Sequence, residues 1–347
     1  MSIDVREYVR CCQVCQLYKP QTRKPPGKLQ QTVVHGPWEM LGVDLTGPFP
    51  RSSSGNLYLI VFVDYYTRWV EMFPLRKATA EVVSQILTKE ILTRWGVPTF
   101  ILSDQGPQFV SAVFGETCKR WNLQQKRTSP YHPQTNLTER VNRNVKAMIA
   151  SYVEEKHKAW DKYLPEFRFA LNSAVHESTG VTPAELNLCR PLKGPLDVEL
   201  KPHLCDPDTS AYTTAKQIAE FQKMVNGNME KARQRQKINY DKGRRDVYFS
   251  EKDRVWIKAH PYSRADKSYM AKLAPRWKGP YRVIRQVGPL NFEVVLEETG
   301  ENIRVVNVAQ IKPCFPTAEE MDRKQHQRIL KIFEEESDEE DFVGFPA

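Results

Sequence analysis

Three observations predict an α/β fold followed by a small β-barrel. Between residues 31 and 190, short apolar strand runs alternate with helical ones. Residues 191–208 are Pro-rich and lose that periodicity, which marks a linker. Beyond residue 246 the text reduces to short strands separated by turns. The 347 residues suffice for two or more domains. The segments read as an N-terminal piece over 1–30, a first domain over 31–190, a linker with an amphipathic helix over 191–245, a barrel over 246–316 and an acidic tail over 317–347.

Taken in order, the first strand is the apolar run around Val43 and Asp44, stopped by Gly47-Pro48, a strong turn signal. Runs over 57–63 and 69–74 form a hairpin-like pair, and a helix over 81–95 follows. A strand over 100–103 ends at Asp104, just before the breakers Gln105-Gly106-Pro107. Helices are expected near 111–121, 139–155 and 160–174. In the second of these, Val141, Val145, Met148 and Ile149 recur at helical spacing. Mixed strands followed by helices argue for an α/β or α+β sandwich. After the linker a helix over 211–240 carries Ile218, Phe221, Val225, Met229 and Ala232 as one apolar stripe, for packing against the core or a second subunit. The barrel strands are expected at 254–258, 281–284, 292–296 and 303–306. The acidic run over 334–341 should be disordered, and no internal repeat is visible.

Composition points to a polyanionic partner. There are 51 Lys and Arg against 42 Asp and Glu. That excess understates the effect: residues 317–347 carry a net −6, which leaves +15 on residues 1–316. Seven cysteines, mostly scattered, do not suggest a disulfide framework, which fits a reducing compartment. The longest apolar run is far shorter than the roughly 20 residues that cross a bilayer, so no membrane partner is expected. No cleavable signal pattern appears. A nuclear location follows, with Arg233-Gln234-Arg235-Gln236-Lys237 and Lys242-Gly243-Arg244-Arg245 as weak import signals.

Asp44, Asp104 and Glu139 are the candidate chemistry. Each lies at the edge of a different predicted element, so a rigid fold can aim all three at one point. Converging carboxylates repel, and without a cation at least one would take up a proton. Mg²⁺ prefers carboxylate oxygens and retains waters. Two such ions can serve an in-line displacement at phosphorus with no covalent protein nucleophile. Each acid also has a plainer reading: Asp104 as a turn residue, Asp44 as a strand stop, and Glu139 closing a capping box with Asn136. Asp64 is a competing carboxylate that spacing alone does not exclude.

The surrounding residues carry a resemblance. Gly42-Val43-Asp44-Leu45-Thr46-Gly47-Pro48-Phe49, Leu102-Ser103-Asp104-Gln105-Gly106-Pro107-Gln108-Phe109 and Tyr131-His132-Pro133-Gln134-Thr135-Asn136-Leu137-Thr138-Glu139-Arg140-Val141-Asn142 resemble signature blocks of integrases from gypsy-type LTR retrotransposons, relatives of retroviral integrases. Ala170-Leu171-Asn172-Ser173 and Ser178-Thr179-Gly180-Val181-Thr182-Pro183-Ala184-Glu185-Leu186 are similar to the end of that family's core. Trp277-Lys278-Gly279-Pro280-Tyr281 resembles its C-terminal Gly-Pro-Tyr module. The resemblance implies a ribonuclease-H-like core with a mixed five-stranded sheet, and a small Src-homology-3-like β-barrel behind it. It also implies Asp44, Asp104 and Glu139 as ligands to two Mg²⁺ (or Mn²⁺) ions, with Asp64 as a non-catalytic strand acid. The implied reactions are trimming of DNA 3′ ends and strand transfer into target DNA. Two DNA ends must then be held together by a homo-oligomer, and the linker helix is a candidate for part of that interface.

Two departures from the family pattern stand out. Gln105 to Thr138 make 34 residues where the D,D-35-E pattern has one more. At the N-terminus, Cys12 and Cys15 have zinc-ligand spacing, but a structural site wants four ligands. Only eleven residues precede Cys12, and none is His. Residues 1–30 therefore read as a remnant zinc-binding module, an incomplete site, and zinc is not expected. For DNA, Arg143 and Lys146 share a helical face with Glu139. His132, Gln134 and Asn136 in the preceding loop are candidates for positioning DNA, and Lys258, Arg276 and Lys278 are candidates in the barrel. The rival reading is a catalytically inactive, domesticated DNA- or chromatin-binding protein. A plain ribonuclease H is disfavoured by the Gly-Pro-Tyr module.

Overall fold

The computed structural model describes residues 3–21, 23–128, 137–200, 215–263, 270–317 and residue 320. They form two compact units: Leu29–Lys242, and the residues up to Lys28 together with those from Gly243 onward.

The larger unit is built on a five-stranded mixed sheet. β1 (Met40–Thr46), β2 (Tyr58–Asp64) and β3 (Val70–Leu75) pair antiparallel in series. β4 (Phe100–Ser103) joins the free side of β1 in parallel, and β5 (Gln124–Arg127) joins β4 in parallel, giving the order β3-β2-β1-β4-β5. The apolar run of β2 is continuous because both faces of the strand are covered. Ile60 and Phe62 point to one side, into a core completed by α3 (Ala80–Ile86) and α6 (Ala112–Arg120). Leu59, Val61 and Val63 point to the other, into a core completed by α7 (Leu137–Val153) and α8 (Leu164–Ser173).

The helix expected over 81–95 is a single run in which α3 passes through a π-helical turn (Leu87–Leu92) into α4 (Thr93–Trp95). Its start is set by Thr79, whose side chain accepts a hydrogen bond from the Val82 N–H. A short α5 (Pro107–Val110) precedes α6. The apolar stripe of α7 is Val145, Ile149 and Val153, with Thr138 and Asn142 continuing it as buried polar positions. From α8, Asn172 bonds both backbone groups of Val70, at 2.8 and 2.9 Å, and so acts as a partner for the edge strand β3. Two further short helices, α9 (Pro183–Leu188) and α10 (Pro195–Leu200), follow, so the stretch expected to be only linker holds a helix. The long α11 (Ala215–Asp241) packs Phe221, Val225 and Met229 against the same unit. The side chain of Ile218 lies outside the described ones.

The smaller unit is an Src-homology-3-like, five-stranded antiparallel sheet in the order β10-β6-β7-β8-β9. Its strands are β6 (Arg254–Lys258), β7 (Trp277–Gly288), β8 (Asn291–Leu296), β9 (Arg304–Asn307) and β10 (Ile311–Pro313). Val255, Ile257, Tyr281, Val283, Phe292, Val294, Val308 and Ile311 make its core. Two N-terminal helices, α1 (Ile3–Cys11) and α2 (Gln13–Tyr18), belong to this unit. Buried Gln16 of α2 accepts from Trp256 Nε1 at 2.8 Å and from the Phe315 N–H at 3.0 Å, and donates to the Phe315 carbonyl at 3.1 Å. Among the described residues no helix is long and apolar enough to cross a membrane.

Candidate active site

Asp44 lies in β1, the strand shared by the antiparallel and parallel halves of the sheet. Asp104 follows the end of neighbouring β4, and Glu139 lies in the first turn of α7. The approach of α7 to β1 depends on Gly42. A Cβ there would collide with Thr138 Oγ1 and lie 2.7 Å from the Tyr65 ring. Tyr65 fixes the helix start as well, its hydroxyl accepting the Leu137 N–H at 2.9 Å. Burial pushes the Tyr65 phenol up to about 12, so it remains a neutral hydroxyl.

The Asp44 carboxylate accepts from Asn142 Nδ2 at 2.8 Å and from the Leu45 N–H at 2.9 Å. Burial raises its pKa above the ordinary carboxylate value, the Asn142 hydrogen bond opposes that, and the charges of Asp104 and Glu139 raise it further. The three acids therefore share one electrostatic neighbourhood. Asp104 accepts the Gly106 N–H at 2.9 Å, which fixes one carboxylate oxygen at the turn. As the side chains stand, no group of three His, Cys, Asp or Glu among the described residues is drawn together tightly enough to hold a metal ion. The chemistry of the set nonetheless suits a hard divalent cation: its donors are all carboxylate oxygens, and their mutual repulsion is what such an ion would relieve.

Asp64 is a structural acid. It is fully buried; its carboxylate accepts from the Thr67 N–H and hydroxyl at 2.8 and 2.6 Å and from the Trp38 N–H at 3.0 Å. Asn142 is the residue that sequence reasoning missed. The available signal was a polar side chain on the buried stripe of α7, three residues after Glu139.

Arg143 and Lys146 are exposed on α7. His132, Gln134 and Asn136 lie outside the described residues. In the barrel, Lys258, Arg276 and Lys278 are exposed at one end of the β6–β7 pair, where Lys258 is in register with Trp277 and Ile257 with Lys278. Other barrel cations are already paired: Arg254 with Glu297 and Glu320, Arg282 with Glu297, and Arg285 with Glu293. Trp256, Trp277 and Tyr281 are buried, so these aromatics serve packing. Cys12 stands at the N-cap position of α2 without a capping side-chain bond, and hydrogen bonds from Cys15 lower its thiol pKa.

Comparison with known proteins agrees with this architecture. Residues 34–133 match the integrase core domain family, and residues 252–315 match the Tf2-1-like SH3 domain. The Transposon Tf2-3 and Tf2-4 polyproteins of Schizosaccharomyces pombe are each 28% identical over 302 residues, covering 85% of this chain. The chain spans 22% of the length of those curated relatives. Among solved structures, a chain from the simian T-cell lymphotropic virus intasome in complex with PP2A regulatory subunit B56 gamma superposes with a TM-score of 0.56. That match has 17% identity, covers 90% of both chains, and shows a shared fold. The core is thus ribonuclease-H-like: residues 34–133 carry an integrase core domain, residues 252–315 carry a Tf2-1-like SH3 domain, and the chain is similar over most of its length to part of the Tf2 retrotransposon polyproteins.

Proposed function

We propose that the chain is a polynucleotidyl transferase that trims DNA 3′ ends and joins them to target DNA, with Asp44, Asp104 and Glu139 as its essential carboxylates. The observation that carries this reading is that β1, the end of β4 and the first turn of α7 bring three acids near enough for Asp104 and Glu139 to act on Asp44. These three residues would hold the divalent ions, Mg²⁺ or Mn²⁺. When bound, a pair of such ions would supply Lewis-acid activation of the attacking oxygen and charge stabilisation at the leaving one. Asn142 and the Leu45 N–H each bond one oxygen of Asp44 and so hold its carboxylate in place. The Gly106 N–H does the same for Asp104. Glu139, in the first turn of α7, would supply the third carboxylate. Arg143 and Lys146 follow on the same helical face and would grip strand phosphates. In the barrel, Lys258, Arg276 and Lys278 would contact the DNA backbone, and a nuclear homo-oligomer would hold two ends together.

A strand-transfer assay with Mg²⁺ or Mn²⁺, run beside Asp104→Asn, tests this. Product from the parent chain and none from the variant is the expected result. The spacing from Asp104 to Glu139, one residue shorter than the family pattern, favours a second reading, a DNA- or chromatin-binding protein without catalysis. Equal DNA binding by both chains with no product from either would establish it.

A further inference from the structure

The larger unit holds a cavity of about 420 Å³ that the carboxylate site does not use. It lies between the β2–β3 turn, the start of α7, the loop after α8 and the face of α11. Four arginines line it, Arg68, Arg140, Arg233 and Arg235, with His176 among them and a single acid, Glu177. Its volume is within the roughly 300–1,000 Å³ of small-molecule sites.

Two of these guanidinium groups are not satisfied by the protein. The Nε of Arg68 and one terminal nitrogen of Arg233 are sealed from bulk water and have no hydrogen-bond partner among the described residues. Arg68 is held in place by a left-handed backbone (φ 67°) and by its N–H bonding to the Asp64 carbonyl at 3.0 Å. The negative charge of Asp64 favours the guanidinium, but the Asp64 oxygens are bonded to Thr67 and Trp38 and leave the Arg68 Nε without an acceptor. Arg233 bonds the Met229 carbonyl at 3.4 Å and reaches the Glu230 carboxylate at 3.5 Å, which still leaves the terminal nitrogen over. Leaving buried guanidinium donors without an acceptor is costly. The positive field is felt by His176: burial, then Arg68 and Arg140, lower its pKa to about 4, so its ring is neutral near pH 7.

We propose that this cavity binds a compact polyphosphate anion, held by the guanidinium groups of Arg68, Arg140, Arg233 and Arg235. Guanidinium donors match phosphate oxygens in paired, charge-assisted hydrogen bonds, and several phosphoryl groups would answer several arginines. A bound anion would also tie α11 and the β2–β3 turn to the start of α7, the helix that carries Glu139. The assignment stands on the cavity alone and does not depend on strand-transfer activity.

The test is titration calorimetry of the full chain with sodium tripolyphosphate at about 0.15 M chloride, where weak surface attraction is screened. Saturable one-to-one binding is expected, about tenfold weaker in Arg140→Gln and in Arg235→Gln, a change of about 1.4 kcal/mol. These two arginines are exposed at their rims, so folding should survive their loss. Lys89→Gln, at an exposed position on the π-helical turn, should bind like the parent. No saturable heat, or equal affinity in all four chains, would overturn the proposal. A single-stranded oligonucleotide at matched phosphate concentration separates the two sources of phosphate. Tripolyphosphate that the strand cannot displace supports a free anion. Displacement by the strand would assign the cavity to the nucleic-acid backbone and overturn the compact-anion reading.

Discussion

Burial raises the Asp44 pKa, and the Asn142 hydrogen bond opposes that rise. Asn142 donates to that carboxylate through its amide, and its own Oδ1 is buried without a partner among the described residues. Replacing it by Leu removes both features: the favourable donor to Asp44 and the stranded acceptor. The stability change should therefore be small, within about 1 kcal/mol, because a lost hydrogen bond and a relieved unsatisfied group offset each other. The Asp44 pKa, already raised by burial, should rise further. Carboxyl carbon NMR titration checks this, and an unchanged Asp44 midpoint would show that Asn142 does not tune it. His176 gives a second test at this scale. Its pKa falls from an ordinary 6.5 to about 4 in the folded chain. Between those values the unfolded state binds more protons than the native one, so stability is fully present above about 6.5 and is lost as the pH falls toward 4. The loss should reach about 2–3 kcal/mol at pH 4. Urea unfolding of the parent and His176→Gln at pH 7 and near pH 4.5 should show a steeper acid loss in the parent; parallel curves would refute it.

At the scale of elements, the placement of α7 on β1 sets where Glu139 can reach. Gly42 is the contact that permits it. Gly42→Ala should cost about 1–3 kcal/mol through overpacking, since the new methyl meets Thr138 and the ring of Tyr65. It should also reduce strand transfer by displacing the helix. Gly115→Ala in α6, where an added Cβ meets nothing within 4 Å, should instead be neutral or stabilising by about 0.5–1 kcal/mol. Thermal unfolding of the two variants side by side measures the contrast. The same elements show what the sequence could reveal. β2 was legible because its apolar run serves two cores, and β6 because Val255, Trp256 and Ile257 stand between charged residues. β5 was not, because Gln124-Gln125-Lys126-Arg127 lies at the sheet edge and carries no apolar alternation; only its parallel pairing with β4 makes it a strand. The short β10 was missed because three residues give no periodicity, and α10 because Pro195 and the prolines around it read as linker. The positions of Asp44, Asp104 and Glu139 at element ends were readable from turn and helix signals. The support given by Gly42, Tyr65 and Asn142 was not, because it depends on how closely α7 and β1 approach in space.

Over the whole molecule, charge is distributed unevenly along the chain. Residues 317–347 carry a net −6 against +15 on residues 1–316, within a total of +9. A DNA duplex is attracted by the body of the chain, and an acidic segment tethered to that body competes with the duplex for the same cations. Removing residues 321–347 should therefore tighten binding to a short duplex by about tenfold at low salt, where the Debye length is about 30 Å. The advantage should narrow toward about 0.15 M salt, where that length falls to about 8 Å. Both chains should lose affinity along a straight line of log affinity against log salt, and the shortened chain should have the steeper slope because more of its cations are free to displace counterions. Fluorescence anisotropy with a labelled duplex across a salt series reads both quantities. Equal affinities at low salt would mean that the acidic segment does not compete for the DNA-binding cations, and the basic excess of the body would then act undiminished in the full chain.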